Sequence, residues 1–154
     1  MKRIFCLAAA AGAVALLPAS ASASTKNFLG GGGVVAQGGF NFGTGVVGNT
    51  DGTNVNGEFT FTSRQLDFTV RATCLNVVPG LGGRNAGAAG TIIAPAALAG
   101  FGIYVRAFDS DIPGVPDEYG ITGSSTTPFP TCPALAQFGL FPLQSGNITI
   151  RQGT

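Results

Sequence analysis

The sequence predicts an all-β protein, an antiparallel β-sandwich or small β-barrel that follows an N-terminal signal peptide. Three observations carry that expectation. Short stretches alternate apolar and polar residues at period two, the pattern of a strand with one buried face. Turn-rich segments break them up, in a chain with 25 Gly and 9 Pro. No window holds an amphipathic helix of useful length, and many short strands between Gly- and Pro-rich turns pack as sandwiches or barrels.

The first 23 residues read as an export signal. Lys2-Arg3 is a short basic start, Ile4 to Leu17 is an uncharged apolar run, and Pro18 ends it. Ala19-Ser20-Ala21 and Ala21-Ser22-Ala23 are overlapping small-x-small cleavage sites, completing a secretory signal peptide. The apolar run is too short for a comfortable membrane span. Residues 24–33 read as a flexible Gly-rich segment, and residues 34–154 as a single β domain.

Along that domain, Val34-Val35 is a weak first strand, and Phe40-Asn41-Phe42 alternates. Gly43 to Gly57 is dense in Gly, Asn, Asp and Thr and reads as a long hairpin loop. Glu58 to Thr62 alternates with both Phe on one face. Leu66 to Thr73 is the clearest strand, with Leu66, Phe68, Val70 and Ala72 inward and Asp67, Thr69, Arg71 and Thr73 outward. Pro79 to Gly90 reads as a Gly/Ala loop, Thr91-Ile92-Ile93 as a short strand, and Ala96 to Gly100 as a loop or one helical turn. Phe101 to Phe108 is apolar on both faces, which places it centrally or under a cover. Asp109 to Asp117 is a turn, Tyr119-Gly120-Ile121 a short strand, and Ser124 to Ala136 a loop. Phe138 to Phe141 is a weak apolar run, and Asn147 to Arg151 is a last alternating strand.

Charge and composition exclude several functions. Two of the eight basic residues leave with the signal, so the mature chain carries six against seven acids, a net charge of −1. That is no footprint for nucleic acid or anionic lipid. The chain has no His, which removes a Ser-His-Asp triad, a Cys-His pair and a His-ligated zinc site. Cys6 lies in the signal, so Cys74 and Cys132 remain, and in an oxidising compartment they are expected to form a disulfide. Chain-entropy models value such a bridge at about 4 kcal/mol.

Gly43-Thr44-Gly45-Val46-Val47-Gly48 matches the dinucleotide-binding pattern, with Asp67 at a fitting distance. Turns and another strand follow it where a helix is needed, so it reads as hairpin chemistry, and no cofactor is expected. Four of the seven acids fall within Asp109 to Glu118. Asp109, Asp111 and Asp117 could offer oxygen ligands to calcium. The competing reading, and the favoured one, is that Asp109 and Asp117 cap a tight turn through their side chains. A glycosidase pair is disfavoured because nothing around the acids indicates a sugar cleft. Asn147-Ile148-Thr149 fits the glycosylation pattern but falls in a strand.

Four pieces, taken in order, resemble an uncharacterised family of secreted bacterial β domains, common in actinobacteria and similar to the post-COAP type. They are Gly39 to Phe42 with Asn56 to Phe59; Ala72 to Val77 with Asn85-Ala86; Val105 to Asp109 with Pro113-Gly114 and Pro116 to Tyr119; and Ser145 to Ile150. The chain departs from that pattern in a longer loop between Val77 and Asn85 and in the bulk of Glu118. The resemblance implies secretion and a β fold, and carries no activity. The expected function is therefore a secreted, non-enzymatic structural or surface-interaction domain facing the cell envelope or an extracellular component. The alternative is a calcium- or glycan-binding β-sandwich that uses the acidic turn.

Overall fold

The computed structural model describes residues 25–37, 39–132 and 139–154. The predicted signal peptide, the loop residues 133–136 and Phe138 lie outside the described residues. The strands are β1 (Lys26–Val35), β2 (Phe40–Asn49), β3 (Asn56–Thr62), β4 (Asp67–Gly80), β5 (Gly83–Ala94), β6 (Gly102–Ser110), β7 (Glu118–Ser125) and β8 (Phe141–Arg151). Each pairs antiparallel with the next, and β1 pairs with β8, so the sheet closes into an eight-stranded up-and-down barrel. One 3₁₀ turn, Ala96–Leu98, stands where a helical turn was expected.

Alternation places the side chains. Phe42, Phe59, Phe61, Phe68 and Tyr119 point inward and fill the interior. Phe42 stacks on Tyr119 with ring centroids 3.9 Å apart, and Phe61 packs on Phe68 at 4.7 Å. Ala86, Ala88 and Ala107 supply the small inward residues that let these rings fit, since an eight-stranded barrel has just enough width to be filled by side chains. The outer face is polar: Thr60 pairs with Thr69, and Glu58 lies 3.6 Å from Arg71. No helix among the described residues is long and apolar enough to cross a membrane.

Four expectations need correction. The Gly-rich stretch 24–33 is not a flexible lead-in, since Lys26 to Gly33 belong to β1, paired to β2 throughout and to β8 from Phe28 on. Glycine is required there. A Cβ at Gly31 (φ 143°) would collide with the Asn147 carbonyl, and one at Gly146 (φ 108°) with the Gly32 carbonyl. Next, β2 runs to Asn49, so only Thr50 to Val55 is loop. The loop expected over Pro79 to Gly90 is the paired end of β4 and β5, joined by the two-residue turn Leu81-Gly82. Finally, Leu66 is not in the core. Strand β4 starts at Asp67, and Leu66 stands 47% exposed at the barrel mouth, where the Ser63 side chain closes the preceding turn. The register of Phe68, Val70 and Ala72 against Asp67, Thr69 and Arg71 is as expected.

The apolar character of β6 on both faces has a physical cause. Ile103, Val105 and Ala107 face the core, while Tyr104 lies outside with Cys74, Ala89, Phe129 and Cys132 in a second small cluster. Cys74 and Cys132 are disulfide-bonded, with Cα atoms 5.4 Å apart. The bridge pins the connection between β7 and β8 against the outside of β4.

Candidate functional site

The acidic turn is built from the end of β6, residues 111–117 and the start of β7. Its carboxylates do not converge. Asp117 Oδ1 accepts the Ser110 N–H at 3.0 Å, holding the turn closed, and its Oδ2 accepts the Ile148 N–H at 2.7 Å. Asp109 Oδ2 accepts the Ile150 N–H at 2.7 Å. Asp111 points elsewhere, 3.6 Å from Arg84 and largely exposed. Among the described residues no group of three or more His, Cys, Asp or Glu stands close enough to hold a metal ion.

The reason lies in the topology. β7 and β8 share only two residue pairs, Glu118 with Pro142 and Tyr119 with Phe141. Past them β8 has no strand on that side, and its inward Ile148 and Ile150 present N–H groups that need partners. The two aspartates supply the acceptors as charge-assisted hydrogen bonds. The capping reading thus holds for Asp117 across its own turn, and both carboxylates also stitch a distant strand.

With Asp109 and Asp117 committed to β8, the same turn offers apolar groups to the outside. Ile112 and Val115 are about half exposed, and Leu81, at the neighbouring β4–β5 turn, is fully exposed. Pro79, Pro113 and Pro116 beside them are exposed too. The two tips are laced together: the Asp111 N–H donates to the Gly82 carbonyl at 2.9 Å, Ile112 sits against Gly82, and Arg84 pairs with Asp111. Val115 N–H closes a turn onto the Ile112 carbonyl at 3.1 Å. The result is a fixed apolar tip on a polar barrel. Sequence reasoning weighed the acids of this turn and passed over Leu81, Ile112 and Val115. The available signal was apolar residues set among Gly and Pro, where no strand could bury them.

Two buried polar side chains were also missed. Tyr119 is fully buried, and burial pushes its phenol far above the ordinary range, offset in part by the Thr44 hydroxyl beside it. The two hydroxyls stop short of good hydrogen-bond geometry, and neither has another partner. Tyr119 therefore stays protonated and is a packing residue. Arg106, on the outer face of β6, is buried and donates from Nη2 to Asn85 Oδ1 at 3.1 Å, leaving Nε and Nη1 without a partner. The Tyr104 phenol, two residues away on the same face, is pushed up by burial and eased down by the Arg106 charge. No family model matches the sequence, no curated protein matches it, and no solved structure matches the fold.

Proposed function

We propose that the chain is a secreted, non-enzymatic β-barrel domain that works as a surface-interaction module, engaging a partner of the cell envelope through its apolar tip. The observation that supports this is the contrast between the tip and the rest of the barrel. Six apolar residues around Leu81, Ile112 and Val115 are exposed on rigid turns. The barrel has already filled its own interior, and its wall presents Glu58, Thr60, Thr69 and Arg71 outward. Contiguous exposed apolar surface on a soluble scaffold marks an interaction site, and rigid presentation lowers the ordering cost of binding. Secretion rests on the N-terminal signal pattern and agrees with a disulfide that needs an oxidising compartment.

The test is co-sedimentation of the mature chain with isolated bacterial cell envelopes. The wild type is expected in the pellet. The Leu81→Ser/Ile112→Ser variant, shown by its melting curve to be folded, is expected in the supernatant. Equal retention of both, or no retention of the wild type, contradicts the proposal.

A further inference from the structure

A cleft of about 500 Å³ opens on the outer wall, away from the tip, between the β2–β3 turn and the disulfide. Thr50 to Thr53 form one side. Thr73, Cys74 and Asn76 of β4 form the floor, and Pro130 to Cys132 the other side. Its size falls within the range of small-molecule sites.

Each wall is fixed. On the turn side, Asp51 Oδ1 accepts the Thr53 N–H at 2.9 Å and the Thr53 hydroxyl at 2.6 Å, and the Asn49 N–H donates to the Thr53 carbonyl. On the far side the Cys74–Cys132 bridge locks the loop to the sheet. The floor carries a β-bulge: the register of β4 on β5 shifts between Ala72 and Cys74, so Thr73 is the extra residue. Bulges re-aim side chains, and this one puts the Thr73 hydroxyl in the cleft, where it donates to the Ala89 carbonyl at 3.3 Å and keeps its acceptor capacity.

The lining selects a chemical class. It offers the hydroxyls of Thr50, Thr53, Thr73 and Thr131, the amide of Asn76 and the carboxylate of Asp51, and contains no Lys or Arg. An anion would meet a carboxylate and no cation. An apolar ligand would strip water from the hydroxyls without replacing their hydrogen bonds. A bare metal ion would find a single carboxylate. A ligand with many neutral donors and acceptors fits, and the flat faces of Pro130 and the disulfide suit its C–H edges. We propose that this cleft binds a neutral polyhydroxylated ligand, the ring of a saccharide.

The experiment is an amide-resolved NMR titration of the mature chain with three probes: methyl glucopyranoside, methyl mannopyranoside and N-acetylglucosamine, each in the millimolar range. At least one is expected to give saturable shifts confined to Thr50–Thr53, Thr73, Asn76 and Thr131. Asn76→Leu, which fills the floor and removes the amide, should weaken that binding at least about tenfold, the loss of one or two hydrogen bonds. If that variant does not fold, Thr131→Val in the loop takes its place. Leu81→Ser should leave sugar binding unchanged, which separates this site from the tip. Absence of saturable shifts with all three probes, or shifts that survive the cleft variants, overturns the proposal.

Discussion

Two seams of the same barrel are closed by different means. Between β4 and β5, eleven residue pairs run from Thr69 opposite Ala94 down to Gly80 opposite Gly83, and a two-residue turn joins the strands. Between β7 and β8 there are two pairs, Glu118 with Pro142 and Tyr119 with Phe141. Gly139 lies directly over Gly120, where a Cβ would collide with its carbonyl. The first seam is held by backbone hydrogen bonds, which depend little on side-chain identity; Pro79, opposite Arg84, has no N–H to give. The second depends on side-chain acceptors, Asp117 just before β7 and Asp109 near the end of β6. A strand without a ladder partner is open to pairing with other chains unless something occupies its edge. The acidic turn occupies it.

Substitutions sharpen that contrast. The largest effect belongs to the link between the two seams, since Cys74 sits in the β4 ladder and Cys132 in the connection from β7 to β8. Changing both to Ser should lower stability by about 4 kcal/mol in urea unfolding, because the bridge closes a loop with a sequence separation of 58. Next is Asp117→Ala, which leaves the Ser110 and Ile148 N–H groups without their acceptor. It should cost about 3 kcal/mol, at 1.5–3 kcal/mol for each bond to a charged group with partial replacement by water. In the ladder, Thr69→Ala should cost less than about 1 kcal/mol, because the backbone pairs remain. If Thr69→Ala costs as much as Asp117→Ala, the two seams are not held differently.

The smallest effect concerns Asp51, which belongs to neither seam. Its hydrogen bonds to the Thr53 hydroxyl and N–H hold its pKa below the ordinary 3.8. A folded pKa below the unfolded one means the contribution is present above about pH 4 and is lost as pH falls through the folded value. The group is fully exposed, so the readout is the carboxylate's own NMR titration rather than melting. Thr53→Val should raise the midpoint toward 3.8.

Period two was enough to read Phe59 with Phe61 and Phe68 with Val70, because each has one apolar and one polar face. It was not enough for β1 or the far ends of β4 and β5. There glycine and alanine face close neighbours, and composition that normally marks turns marks tight wall packing instead. The cysteine pair was legible because only Cys74 and Cys132 lie outside the stretch that reads as a signal. The acidic turn was legible as a place but not as chemistry. Nothing local in Asp109 or Asp117 reveals that Ile148 and Ile150, more than thirty residues away, are paired to β1 but have no ladder partner on the β7 side. Once those carboxylates are committed, the apolar residues between them are left to face outward.

The two carboxylates are the acceptors for the side of β8 that β7 leaves unpaired. Amide hydrogen exchange at Ile148 and Ile150 measures this directly in the wild type and in Asp117→Ala. Both amides should be protected in the wild type. In the variant Ile148 should lose protection selectively, while Ile150, still held by Asp109, and the β4–β5 amides keep theirs. Unchanged protection at Ile148, or a loss spread evenly over the barrel, would contradict it.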